Sequence, residues 1–246
     1  MTEGFSTVAQ VRAALAEVAD PADAIVLQRF FKTGPGEYGE GDVFIGVRVP
    51  ATRSIAKRCV ALSLTDIDVL LDSPVHEERL TALIILNARF AAVSKPQAFD
   101  DTARAALVRF YLAAVRRGRV NNWDLIDVSA ENIIGPWLLD KPRDLLFELA
   151  AADSLWERRV ALLSSFTFIK AGEADTTFEL CERLFDDRRD LIQKALGWML
   201  REVGKRVDEK LLIGFLDRHA TEMGRTALSY AVERLDPALR AHYRAQ

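Results

Sequence analysis

A helical period runs through most of this chain and excludes most folds before any single residue is weighed. From Trp123 onward, apolar side chains fall at Ile126, Ala130, Ile133, Ile134 and Trp137. That spacing is the stripe of an amphipathic helix. The same pattern covers 8–18, 25–31, 79–90, 103–115, 145–151, 155–169, 176–185, 191–203, 211–219 and 225–235. Short connections carry helix stop signals at Asp72-Ser73-Pro74, Ser94-Lys95-Pro96, Gly135-Pro136, Lys141-Pro142, Ala171-Gly172 and Gly204. Strand alternation is not found, so the expected class is all-α.

The helices also resemble one another. Arg79-x-x-Ala82, Arg158-x-x-Ala161 and Lys194-x-x-Gly197 each place a cation three residues before a small side chain. The last two lie 36 residues apart, and the first two 79, which leaves room for one more unit around Trp123. A period of about 36–42 residues with two helices per unit is the signature of HEAT-type repeats. The expected architecture is an α-α superhelix, a solenoid of HEAT-like helical repeats forming a single domain over 1–246. A small residue at the repeated position lets neighbouring helices approach closely.

Composition narrows the function classes. Residues are 50% hydrophobic and 28% charged, as in ordinary globular proteins. No stretch approaches the ~18 uninterrupted apolar residues of a membrane span. The start lacks a basic region followed by an apolar core, so no secretory signal is expected. Two distant cysteines, Cys59 and Cys181, make neither a disulfide framework nor a zinc site, and a reducing cytoplasm is expected. His76, His219 and His242 are scattered without metal-ligand spacing. A net charge of −3 argues mildly against nucleic acid, but the distribution of charge matters more.

The segment from Thr33 to Asp42 contains Gly34-x-Gly36-x-x-Gly39, formally a dinucleotide fingerprint. Its context is wrong. A helix precedes it rather than a strand, no helix is expected to open after it, and Glu37, Glu40 and Asp42 would repel a pyrophosphate. It reads as a structured surface loop.

Chemistry is left to tryptophan, arginine and carboxylate. Trp123 and Asp127 are four residues apart and share one helix face. Asp127 flanks the apolar stripe, so it is either structurally paired or functional. The helix from Leu191 carries Lys194, Trp198, Arg201 and Lys205 beside its core stripe. Such a face suits phosphate oxygens and an indole contact, or is simply solvated. Arg158 and Arg159 open another helix, where Arg159 could clamp a phosphate or bridge two repeats. Arg116-Arg117-Gly118-Arg119 adds positive charge before the Trp123 helix.

Three segments taken together resemble the AlkD-type DNA alkylation repair family. They are Asn121-Asn122-Trp123-Asp124-Leu125-Ile126-Asp127, Leu155-Trp156-Glu157-Arg158-Arg159-Val160-Ala161 and Lys194-Ala195-Leu196-Gly197-Trp198-Met199-Leu200-Arg201-Glu202. The resemblance spans about 24–243. It implies a HEAT-like solenoid with a basic concave surface that holds duplex DNA. It also implies hydrolysis of the N-glycosidic bond of N3-alkyladenine and N7-alkylguanine, as a base excision repair glycosylase with no cofactor and no metal. Asp127 is implied as the catalytic carboxylate, with Trp123 and Trp198 flanking the lesion. Arg159 is implied on the phosphate side, with Arg158, Lys194, Arg201 and Lys205 on the DNA face. Phe30 falls where relatives commonly carry Tyr. Gln193 stands where many carry His, and Gly224 and Ser229 where relatives tend to have Pro and Arg. Partners follow as double-stranded DNA carrying alkylated bases, with a monomer expected and no membrane. The rival expectation, of another class, is a non-catalytic HEAT-like scaffold that binds DNA or protein.

Overall fold

A computed structural model describes residues 4–59 and 61–245. The first three residues, part of the start read above for a secretory signal, lie outside the described residues. The described residues are helical, apart from loops and one isolated bridge between Val43 and Val75. Among the described residues, no helix is long and apolar enough to cross a membrane. The chain divides into two compact units, Met1–Ser129 and Ala130–Gln246.

The first unit holds α1 (Val8–Glu17), α2 (Pro21–Phe30), α3 (Val49–Arg58), α4 (Leu64–Leu71), α5 (His76–Val93) and α6 (Asp101–Arg116), and the start of α7 (Trp123–Leu138). Two of these, α3 and α4, were not expected. Each has a local signal: Pro50 in the first turn of α3, and a capping box between Ser63 and Asp66 on α4. α5 is the central element, with Leu80, Ala82, Leu83, Ile85, Leu86 and Phe90 buried. α3, α4 and α6 all pack on it. Asn87 of α5 donates Nδ2 to the Val128 carbonyl of α7 at 2.8 Å.

The second unit holds the rest of α7, then α8 (Asp144–Ala151), α9 (Leu155–Ser164), α10 (Phe166–Lys170), α11 (Asp175–Arg183), α12 (Asp190–Arg206), α13 (Glu209–His219), α14 (Arg225–Ala231) and α15 (Pro237–Arg244). Consecutive helices pair, α8 with α9, α11 with α12, and α13 with α12. α9 packs on α12, and α12 on α14. These are the stacked helical pairs of an α-α solenoid. The core stripe expected on α12 is fully buried at Ile192, Ala195, Leu196, Met199 and Val203.

Two expected stops are not stops. α7 continues through Gly135-Pro136, and Gly204 lies inside α12. Both glycines serve close packing instead. A Cβ on Gly135 would lie 2.7 Å from the Ser164 carbonyl, and one on Gly204 would lie 2.6 Å from Leu212. Conversely, the helix expected over 155–169 breaks at Ser165. Ser164 and Ser165 hydroxyls bond back to Val160 and Leu162 carbonyls at 2.6 and 2.7 Å, a competition with the ladder that bends helices. The helix expected to reach 235 ends at Ala231, ahead of the Asp236-Pro237 start of α15.

Gly197 is the clearest test of the repeated small residue. A Cβ there would stand 2.2 Å from the Ala227 carbonyl oxygen and 2.5 Å from Tyr230 Cβ. Because the nearest atom is backbone, α14 must move away. Gly197→Ala is expected to lower stability by about 1–3 kcal/mol, read by urea unfolding, despite alanine's better helix propensity. A stabilised variant would show that the contact between α12 and α14 is not tight.

Candidate functional site

The Thr33–Asp42 loop and the N-terminal turn of α7 are built around one buried polar cluster in the first unit. Its centre is His76, the first residue of α5, which is 2% exposed. Nδ1 faces Asp42 Oδ2 at 3.1 Å and Nε2 faces Asp124 Oδ2 at 2.8 Å. Arg79 bonds both Asp42 and Asn121. Asn122 donates Nδ2 to Asp42 at 3.1 Å, and its own Oδ1 accepts the Trp123 N–H at 2.9 Å. Glu77, next on α5, takes the N–H groups of Ile45, Gly46 and Val47. A loop, α5 and the start of α7 are thus tied by charge-assisted bonds.

The charges settle in one way. Burial disfavours imidazolium, but Asp124's charge and the bonds to Asp124 and Asp42 overcome it and raise His76 to about 9. Burial also works against the Asp42 carboxylate. The His76 bond and the Arg79 charge outweigh that, and its carboxyl stays below the usual range.

Aromatic stacking continues from this cluster to Trp123. His76 stacks on Phe44 with centroids 4.5 Å apart, and Phe44 on Phe31 at 4.9 Å. Phe31 lies flat against the Trp123 indole, at 5.1 Å and 10°. Phe30, singled out from the sequence, is 63% exposed and meets Trp123 edge-on at 5.7 Å. The flat partner is its neighbour Phe31. Asp127 follows Trp123 by one turn and is half-buried. Its charge reaches the buried Tyr111, whose hydroxyl is pushed up chiefly by burial.

The Gly-rich loop spends its N–H groups internally. Gly34 donates to Glu37 and Gly36 to Glu40, each at 2.8 Å. Its carboxylates therefore occupy the positions a phosphate would need.

In the second unit, Trp198 is half-buried and lies 6.1 Å from Phe166. Lys170 and Arg206 sit over the Phe166 ring. Arg159 is 4% exposed, and Nη1 donates to the Leu191 carbonyl in the first turn of α12 at 2.5 Å. Arg158 binds Asp187 at 3.0 Å. The basic face of α12 has acidic neighbours. Lys194 pairs with Asp190 at 2.8 Å, Arg201 with Glu233, and Lys205 lies 4.0 Å from Glu202. Gln193 donates to the Asp187 carbonyl at 2.7 Å, and a Cβ on Gly224 would collide with its Oε1. The two departures at 193 and 224 are therefore sterically matched. Ser229 accepts from Arg244 at 3.0 Å.

Neither cysteine is a thiolate nucleophile: burial pushes Cys59 up to about 11 and Cys181 higher still. Among the described residues, no group of three or more His, Cys, Asp and Glu side chains is placed to hold a metal ion. Sequence reasoning missed Asp42, His76, Arg79, Asn121, Asn122, Phe31 and Phe44 as supports of the Trp123 turn. The Asn121-Asn122-Trp123 motif was visible, but not its distant partners.

The raised His76 gives a pH prediction. A group whose folded value lies above its unfolded one contributes stability that is full below the unfolded value and lost as pH rises through the folded one. From 6.5 to about 9, the linkage corresponds to about 3 kcal/mol. Thermal stability is expected to fall between pH 6.5 and 9, and His76→Gln should flatten that slope. An unchanged slope in the variant would assign the pH dependence elsewhere.

The model of the family described as DNA alkylation repair enzyme matches residues 11–235. Among curated proteins, none matches. A solved structure described as a predicted DNA alkylation repair enzyme from Enterococcus faecalis is similar in fold, with a TM-score of 0.67 and 18% identity. The match covers 89% of this chain and 97% of that one. With the family match extending over nearly all of its helices, this chain belongs to the DNA alkylation repair enzyme family.

Proposed function

We propose that this protein is a monofunctional DNA glycosylase that releases cationic alkylpurines, N3-alkyladenine and N7-alkylguanine, from duplex DNA. One observation carries the reading furthest. The turn bearing Trp123, one turn before Asp127, is clamped by the Asp42–His76–Asp124 cluster and by the flat contact with Phe31. A preorganised carboxylate is what this chemistry needs.

An alkylated purine already carries positive charge. When the C1′–N bond breaks, the electron pair moves to the base nitrogen and neutralises it, so no general acid is required. Positive charge develops on the deoxyribose. Asp127 stabilises that charge and takes a proton from the water that attacks C1′. The Trp123 and Trp198 indoles supply cation–π and apolar contact with the sugar. Lys194, Arg201 and Lys205 hold phosphates, with Arg158 and Arg159 behind them and Phe30 at the outer aromatic edge. The same reading has the protein act as a cytoplasmic monomer without a cofactor, as one repeat domain over 1–246.

A second reading, a HEAT-like scaffold, draws on the pairing of the α12 cations with Asp190, Glu202 and Glu233, which weakens the face for phosphate.

Incubation with methylated duplex DNA separates the two readings. Asp127→Asn is expected to keep DNA affinity while base release drops by at least about a hundredfold. Full release by the variant would remove Asp127 from the mechanism, and no release by the unaltered protein would favour the scaffold. Arg159 is the least accessible of the cations, so salt decides its role. Arg159→Ala should weaken binding and reduce the salt slope by about one. An unaltered slope would leave Arg159 as a structural residue that ties α9 to the Leu191 carbonyl.

A further inference from the structure

Both ring nitrogens of His76 face carboxylate oxygens, Asp42 at 3.1 Å and Asp124 at 2.8 Å. A carboxylate only accepts, and a neutral imidazole carries a single N–H. The neutral ring can therefore serve one of the two, and only the imidazolium serves both. Asp42 has Arg79 and Asn122 as further donors, whereas Asp124, among the described residues, has His76 alone. On losing a proton the ring keeps its N–H on Asp124 and turns a lone pair on Asp42 Oδ2. That oxygen also holds Asn122, whose Oδ1 accepts the first N–H of α7, at Trp123. Repulsion at Asp42 thus reaches the turn that precedes Asp127.

Neighbouring groups offer no substitute. Arg79, on the same helix, opposes the imidazolium by its charge. Glu77 is taken up by the N–H groups of Ile45, Gly46 and Val47, and Glu78 by Arg12 of α1. Phe31 and Phe44 face the ring without charge. His76 and Asp124 line a cavity of about 430 Å³, which gives solvent a route for proton exchange. Asp23 and Arg48, across that cavity, are paired with each other at 2.6 and 2.8 Å.

We propose that His76 is a positioning residue of this site, competent only as the imidazolium, so that loss of one proton from a buried ring switches off base release on the alkaline side. What is switched rests on the glycosylase reading, while the clamp itself rests on the geometry alone. The reaction gives no other reason for such a fall. Asp127 acts as a carboxylate and no general acid is required, so raising the pH disables neither.

The test follows base release from methylated duplex at saturating protein, from about pH 7 to 10, with release from the same DNA without protein subtracted. A one-proton fall with its midpoint near 9 is expected, amounting to about tenfold by one unit beyond it, while affinity for unmethylated duplex stays level up to the midpoint. Asp124→Asn removes a charge that holds the proton, so its midpoint should move at least about one unit toward neutral. His76→Gln donates to one carboxylate only. It should release base at least about tenfold more slowly at neutral pH and lack the fall. In the free protein, NMR signals of a His76 imidazole carbon and a Trp123 indole carbon, assigned through His76→Gln and Trp123→Phe, should titrate with one midpoint. The inference is overturned if release stays level across the range, if Asp124→Asn keeps the midpoint, if the two signals titrate apart, or if release falls only as circular dichroism shows the fold being lost. Level release sinks this inference alone. Absence of release at every pH sinks the glycosylase reading, and a shared NMR midpoint would still establish His76 as the residue that positions the Trp123 turn.

Discussion

The protonated His76 held between Asp42 and Asp124 is the interaction on which the candidate site depends. One imidazolium joins a loop carboxylate to a carboxylate in the first turn of α7, and Arg79 and Asn122 close the cluster around Asp42. Removing charges from water is expensive, and it is tolerated here because nearly every polar atom of the cluster has a partner. Asp124 also lies where a helix favours negative charge. The cluster ties the Gly-rich loop to the first turn of α7, and Phe31 lies flat on Trp123 beside it. It leaves two buried atoms unspent, Asp124 Oδ1 and Arg79 Nε.

The second unit rests on a different constraint, close approach between helices. Gly135, Gly197 and Gly204 each stand where a methyl group would meet a neighbour well inside contact distance. Ser164 reinforces this by reaching the Ala130 carbonyl at 3.4 Å. Spacing of this kind positions Trp198 and the α12 cations on packed helices rather than on loops. In the proposed reading each phosphate contact would replace a carboxylate contact, and the freed carboxylates would take up cations, so the net counterion release and the salt slope would be smaller than the number of contacts suggests.

Helix periods, the repeat spacing and the three motifs were legible in the chain because each is local or periodic. The stripe from Ile126 to Ile134 is buried as its spacing demands. The errors have physical causes. Gly135-Pro136 and Gly204 carry the composition of a stop, but whether a glycine ends a helix or admits a neighbour depends on what stands beside it. Ser165 breaks a helix through a hydroxyl bond that no period reveals. Phe30 and Phe31 are equivalent by pattern, and only the direction of the chain leaving α2 chooses the one that stacks on Trp123.

The sequence alone determined the class of fold and the family, since both are written in spacing and in contiguous motifs. It also singled out Trp123, Asp127 and Trp198, residue types whose chemistry is intrinsic. Tertiary structure decided the support around the first two. Asp42, His76 and Asp124 are far apart in the chain, and no short-range rule pairs them. Their protonation states exist only once burial and three charges meet. The same holds for the cavity beside Asp124, which is a property of packed walls and not of any segment.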